Sequence, residues 1–241
     1  MRPAPPVDRA GARPVGFGAV EGAVVLTPLV LALALVLLVA PSPAVGAAAV
    51  AASLVVPAAV AVTLLRRRAV SAPDAITLGR VVLTGALSAA AVLVLADELA
   101  ERTWTVAAVV GLALLMDAVD GWVARRTSSA TLAGARLDME SDAALLLVLS
   151  LLAVPTVSWW VLGIGAMRYL FVLASWVRPA LQADLTYSEL RRVVAALQGV
   201  ALLIVLVPVV PVPLATVAAA LALVALAGSF ARDVVALEAR T

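Results

Sequence analysis

Long uninterrupted apolar runs alternate with short polar segments along this chain. Each run is close to the ~20 residues that an α-helix needs to cross a bilayer. The runs are continuous rather than alternating between apolar and polar residues, which favours helices over membrane strands. The pattern predicts an all-α integral membrane protein with about eight spans, at residues 22–41, 43–65, 75–96, 103–124, 138–158, 160–177, 192–208 and 213–231.

Composition supports a membrane protein and restricts its chemistry. The 241 residues are 64% hydrophobic and 13% charged, with a mean hydropathy of +1.14, which is more apolar surface than a soluble domain of this size can bury. Cysteine and histidine are both absent, which excludes disulfides, thiolate nucleophiles, imidazole bases and zinc sites of the Cys/His type. A general base must therefore be a carboxylate, and a metal site must use mainly oxygen ligands, as Mg²⁺, Mn²⁺ and Ca²⁺ sites do.

The arginines indicate how the helices are oriented. All seventeen basic residues are Arg, and if the N-terminus is cytoplasmic, all but two of them lie in cytoplasmic segments or helix ends. The exceptions are Arg102, in an outer loop, and Arg168, within a span. This positive-inside bias supports an even number of spans in the inner (cytoplasmic) membrane, with both termini in the cytoplasm. We expect membrane lipid, and no nucleic acid, beside the basic helix ends.

The same pattern divides the chain into three parts. Residues 1–20 are rich in Pro and Gly and predict a disordered cytoplasmic tail. Residues 21–68 hold the first two spans as an N-terminal transmembrane hairpin without a readable motif, and residues 69–241 hold the other six spans. Small residues recur at helical spacing throughout a chain this rich in Ala, so they leave open whether the protein forms a homodimer.

Four aspartates interrupt the apolar pattern in the stretch "MDAVDGWVARRTSSATLAGARLDMESDAAL", residues 116–145. Asp117 and Asp120 are three residues apart and share a helix face, and Asp138 and Asp142 are four apart at the start of the next span. A short connection, about "RRTSSATLA", would join the two helices as an antiparallel hairpin, so that four carboxylates converge at the cytoplasmic surface.

Four converging carboxylates repel one another, and the repulsion must be relieved by protonation or by one or two divalent cations. A two-metal site typically clamps a diphosphate while an oxygen nucleophile attacks. Helix capping is the simpler alternative. It accounts for one or two of the aspartates, such as Asp138 in a first turn, but not for all four.

This stretch resembles the signature of the CDP-alcohol phosphatidyltransferase family. The matching positions are Asp117-x-x-Asp120-Gly121-x-x-Ala124-Arg125 and, after eight residues, Gly134-x-x-x-Asp138-x-x-x-Asp142. The resemblance implies a six-helix core around a cytoplasm-facing polar cavity, here with two N-terminal helices added. It also implies that the four aspartates bind two Mg²⁺ or Mn²⁺ ions and that Asp142 is the catalytic base for the acceptor hydroxyl. By the same resemblance, the CDP site is lined by Gly121, Ala124, Arg125 and Gly134.

Two further segments are compatible with this resemblance. "SAPDAITLGR" is similar to the start of the family's first core helix, which implies nucleotide contacts for Asp74 and Thr77, although an ordinary helix start explains the segment equally well by itself. Arg168 lies within the sixth span, where charged residues usually face a bundle interior or a watery cavity. It could hold an acceptor phosphate together with Arg191 and Arg192, although topology alone also explains the last two.

These features predict an enzyme that moves a phosphatidyl group from CDP-diacylglycerol to the hydroxyl of a small alcohol or alcohol phosphate and releases CMP. The acceptor stays open, because the segment around Arg191 lacks the Lys-x-Lys-Thr-x-x-Gln pattern associated with phosphatidylglycerophosphate synthases. Three alternatives also stay open: a CDP-small-alcohol phosphotransferase acting on diacylglycerol, a membrane prenyltransferase, and a non-catalytic cation-binding membrane protein or transporter. Prenyltransferases place their aspartate motifs on widely separated helices, and metal-dependent CMP release would distinguish an enzyme from a transporter.

Overall fold

The computed structural model describes residues 17–65, 72–127, 132–178 and 189–238, and side chains within 22–63, 77–119, 137–178 and 193–238. These residues form helices and connections, with no strand among them. The helices are α1 (Phe17–Val39), α2 (Pro43–Leu65), α3 (Ala72–Leu95), α4 (Trp104–Thr127), α5 (Leu132–Val157), α6 (Leu162–Val177), α7 (Glu189–Leu206) and α8 (Val212–Glu238), with a 3₁₀ turn at Trp159–Val161 before α6.

Five segments of the described chain are long and apolar enough to cross a membrane. They are Gly22–Val39, Pro43–Thr63, Thr77–Leu95, Trp159–Val177 and Val212–Glu238. Shorter apolar stretches lie in α4 and α7, at Trp104–Val119 and Val193–Leu206. The protein is therefore an all-helical integral membrane protein, as the sequence predicts, whereas the eight crossings and the cytoplasmic position of both termini stay predictions.

Several helices extend beyond the apolar runs that predict them. Helix α4 continues to Thr127 and α5 begins at Leu132, so the connection between them is shorter than the predicted "RRTSSATLA". Hydropathy underestimates these helices because backbone hydrogen bonding continues through polar residues once a helix has formed. Asp138 and Asp142 therefore lie within α5 rather than at its start. Helix α8 continues to Glu238, because Ser229, Asp233 and Leu237 extend its buried stripe at helical spacing.

The main core lies among α3 to α8, around α5. Leu149 and Leu152 of α5 are completely buried in it. Gly165 sets the distance between α5 and α6, because a Cβ atom at this position would lie 2.3 Å from the Cα of Leu147. The Gly165 N–H also donates a hydrogen bond to Ser150 Oγ at 3.1 Å. Close backbone approach of this kind is how helices associate in a bilayer.

The N-terminal hairpin, α1 and α2, packs on α3 by the same principle. A Cβ atom on Gly85 of α3 would lie 2.7 Å from both Pro28 Cβ of α1 and the Ser53 carbonyl oxygen of α2. Only glycine fits at a crossing this tight. Buried alanines continue the interface on all three helices, at Ala32, Ala49 and Ala89. The hairpin is therefore an integral part of the bundle.

Arg102, one of the two exceptions in the arginine pattern, stabilises the connection that follows α7. Its guanidinium donates hydrogen bonds to the carbonyl of Val207, at 2.8 Å, and to that of Val210. The last carbonyls of a helix lack intrahelical partners and carry partial negative charge. With a longer bond to the Pro208 carbonyl at 3.4 Å, Arg102 binds three carbonyls of the connection that follows α7, which gives an arginine in this loop a structural role.

Candidate active site

An arginine lies at the centre of the aspartate cluster. Arg80 is on α3, one turn beyond Thr77, and its side chain is 0% exposed. Its guanidinium forms ion pairs with Asp117 of α4 and with two aspartates of α5, Asp138 at 2.5 Å and Asp142 at 2.8 Å. A buried charge is costly unless it is paired and hydrogen-bonded. The three carboxylates therefore explain how an arginine is accommodated inside an apolar helix.

The three aspartates face one another across two helices. One carboxylate oxygen from each of Asp117, Asp138 and Asp142 lies within 4.8 Å of the others. Their side chains are 43%, 43% and 39% exposed, so the cluster is buried on the side of Arg80 and open on another side. The cluster consists of hard oxygen ligands, which suit Mg²⁺ or Mn²⁺ rather than softer metals.

The charges of the cluster also fit a divalent cation. Three carboxylates around one guanidinium leave two negative charges uncompensated, which equals the charge that one divalent cation neutralises. Asp117, Asp138 and Asp142 are the described residues that could hold such an ion, and Arg80 would remain beside it as a fixed positive charge. In a metal or phosphate site the charge of the ion must be counted with that of the side chains.

Three of the four aspartates predicted as ligands thus come together, as the helix spacing predicts. The side chain of Asp120 lies outside the described residues. So do those of the other residues predicted to contact substrate on α3, α4, α5 and α7, namely Asp74, Gly121, Ala124, Arg125, Gly134, Arg191 and Arg192. Thr77 is described and buried. The roles assigned to all of these residues stay predictions.

Arg168 lies on α6 and contacts α5. Its guanidinium pairs with Glu140 and donates to Met139 Sδ at 2.8 Å. Glu140 stands between Asp138 and Asp142 in sequence, but residues two apart on a helix do not share a face. The described contacts of Arg168 are with Glu140 and Met139 and not with an aspartate of the cluster, and its predicted contact with an acceptor phosphate stays a prediction.

The role of Arg80 in the site is not apparent from the sequence around it. From sequence it is one basic residue among many at the helix ends, and part of a helix-start motif. The available signal is its position, because it is the one charged residue within the apolar stretch Thr77–Leu95. A charged residue inside a span usually has a partner or a function.

The site combines carboxylates with an arginine at one end of a membrane helix bundle. Such groups can bind a cation and a phosphorylated substrate together. The model of the CDP-alcohol phosphatidyltransferase family matches residues 70–230, more than half of the chain. The protein therefore belongs to this family, which confirms the resemblance, and it is a transferase by class. Comparison with curated proteins and with solved structures gives no match. Helices α1 and α2 lie before the matched region.

Proposed function

We propose that this protein transfers the phosphatidyl group of CDP-diacylglycerol to the hydroxyl of a small alcohol or alcohol phosphate, and releases CMP. The observation that carries the proposal is the convergence of Asp117, Asp138 and Asp142 around buried Arg80 at one end of a membrane bundle of this family. The site faces the cytoplasm, within a catalytic domain of residues 69–241. There the lipid tails of the donor stay in the bilayer while its headgroup meets a soluble acceptor.

The aspartates would hold the donor through divalent cations. Asp117, Asp120, Asp138 and Asp142 would be the ligands. Two Mg²⁺ or Mn²⁺ ions bound there would neutralise the diphosphate and stabilise the charge that develops on CMP. Arg80 fixes the carboxylates of α4 and α5 relative to each other, so that the ligands are positioned before substrate arrives.

Asp142 is the base in this proposal. Its carboxylate is 2.8 Å from Arg80 and 39% exposed, so an acceptor hydroxyl can reach it, and a chain without His or Cys has carboxylates to serve as bases. The hydroxyl proton passes to the carboxylate as the hydroxyl oxygen forms a bond to the phosphatidyl phosphorus. The bond from that phosphorus to CMP breaks, and CMP leaves with the electron pair.

The test is a transfer assay with the purified protein in mixed micelles. CDP-diacylglycerol is offered with Mg²⁺ or Mn²⁺ and separate acceptors, including glycerol 3-phosphate, inositol, inositol 1-phosphate and serine, and both CMP and lipid product are followed. We expect metal-dependent CMP release with one acceptor and none in EDTA. A parallel arm offers CDP-choline or CDP-ethanolamine with diacylglycerol. Product in that arm alone would establish the alternative phosphotransferase, and no CMP in either arm, where a related enzyme is active, would refute both.

A further inference from the structure

An apolar groove runs along the bundle between α2 and α5, and residues of α3 line the part of it that is farther from the aspartates. At the end where the aspartates lie, a cavity of about 500 Å³ is lined by residues of α2, α5 and α6, including Val60, Leu137 and Ser141. A second cavity of about 400 Å³ continues it toward the other end of the bundle and reaches Leu95 and Leu151. The two cavities share four lining residues, Val55, Val56, Ala144 and Tyr169.

The groove is longer than the hydrocarbon part of one membrane leaflet. Its lining follows α5 from Leu137 to Leu151, a distance of about 21 Å at the helical rise of about 1.5 Å per residue. The hydrocarbon core of a bilayer is about 30 Å thick, so one leaflet accounts for about half of that. A groove of this length and lining can take a single extended acyl chain.

The groove is continuous with the aspartate site through α5. Leu137 and Ser141 line the groove, and each directly precedes an aspartate of the cluster, Asp138 and Asp142. The groove and the cluster therefore occupy neighbouring faces of the same two turns of α5. Among the described lining residues the charged one is Glu140, at this same end. The charge thus lies where a headgroup would sit, and the lining of the second cavity is apolar except for Ser88 and Tyr169.

We propose that this groove binds an acyl chain of the CDP-diacylglycerol donor and that α2 supplies one of its walls. The assignment rests on the proposed function for the identity of the lipid. Helix α2 lies outside residues 70–230, the part of the chain that matches the family, so the N-terminal hairpin adds a lipid-binding wall to the catalytic core. Binding here is by burial of methylene groups against apolar side chains, with no covalent step.

A matched pair of variants tests the groove. Ala59 lines the first cavity and Ala58, also exposed, is not among its lining residues, so Ala59→Phe obstructs the groove and Ala58→Phe adds the same side chain beside it. For Ala59→Phe we expect KM for a dioleoyl donor to rise about tenfold, which corresponds to burying about two methylene groups fewer. The change for a dihexanoyl donor should be much smaller, since its short chains do not need the groove, and Ala58→Phe should match the wild type. Equal effects on both donors, or equal effects of both variants, would overturn the proposal.

A labelling experiment tests the groove without requiring turnover. CDP-diacylglycerol with a photoreactive group near the end of one acyl chain is irradiated with the wild-type protein, and modified peptides are mapped. We expect adducts on α2 and α5 that unlabelled CDP-diacylglycerol removes and excess phosphatidylcholine does not. Removal by phosphatidylcholine would mean that ordinary bilayer lipid occupies the groove. Stronger removal by diacylglycerol would assign it to a different substrate, and adducts on other helices would place the chain elsewhere. Each of these three results overturns the assignment.

The two proposals can fail separately. CMP release by the wild-type protein tests the function, whereas the labelling pattern reports only where the donor lipid binds. Specific labelling of α2 in a protein that releases no CMP would support the groove and refute the proposed reaction. Normal CMP release with labelling elsewhere would support the proposed reaction and refute the groove.

Discussion

Replacing Arg80 with Met should remove the positive charge that three carboxylates share. At an effective dielectric constant of about 20, two unit charges 4 Å apart interact by about 4 kcal/mol, and the aspartate oxygens lie within 4.8 Å of one another. Repulsion within each pair of carboxylates is of that order, and Arg80 offsets it. Since the carboxylates are about two-fifths exposed, screening reduces these energies. Breaking a buried ion pair costs about 3–5 kcal/mol. Because solvent screens the partly exposed carboxylates, we expect a smaller cost here. Without metal, Arg80→Met should lower the free energy of unfolding by about 2–3 kcal/mol.

The assay is thermal unfolding in detergent, in EDTA and in Mg²⁺. Arg80→Met should melt at a lower temperature than the wild type in EDTA, and Mg²⁺ should stabilise it more than it stabilises the wild type. The reason is that the variant cluster has one more uncompensated negative charge with which to attract a cation. Arg80→Lys should be intermediate, because one ammonium group cannot span three carboxylates as a guanidinium does. CMP release by Arg80→Met should fall by about a hundredfold, as misplaced catalytic groups typically cause.

Arg178→Met is the matched control for this experiment. Arg178 pairs with Glu238 at 2.5 Å, but the two side chains are 65% and 42% exposed, and exposed pairs contribute about 0–1 kcal/mol. Its loss should change stability little, and equally in EDTA and Mg²⁺. If Arg80→Met unfolds in EDTA at the same temperature as the wild type, or responds to Mg²⁺ as the wild type does, Arg80 is not the counter-charge of the cluster.

Three further predictions concern single positions. Asp142→Asn should abolish CMP release while leaving the melting temperature in EDTA at or above that of the wild type; near-normal turnover would exclude Asp142 as the base. Gly165→Val should prevent normal folding, measured as monodisperse yield, because its side chain would overlap the backbone at Leu147. Gly111→Ala is the control, since no described atom outside its own helix lies within 4 Å of that Cβ position. Arg102→Met should cost about 1.5–3 kcal/mol of unfolding free energy, typical of hydrogen bonds from a charged group, with kcat unchanged; full stability would show that water replaces these bonds.

The helices and the membrane setting were predictable because both follow from local sequence. A run of apolar residues must be buried in lipid with its backbone hydrogen-bonded internally, and a helix satisfies both requirements within one segment. Helical periodicity likewise places Asp138 and Asp142 on one face. The exact helix ends were less predictable, because hydropathy marks where lipid ends rather than where the backbone leaves the helix. For this reason α8 extends to Glu238 beyond its apolar run.

By itself, the sequence determined the membrane helices, the oxygen-only chemistry and the aspartate spacing that identifies the family. Tertiary structure decided that Arg80 lies among the aspartates, that Arg168 pairs with Glu140 instead, and that α2 and α5 enclose a groove. These features depend on how each helix is rotated about its axis and which helices are its neighbours. A helix that is apolar on every side carries no amphipathic pattern to specify that rotation. Close contacts at positions such as Gly85 and Gly165 specify it instead, and they exist only once the bundle has assembled.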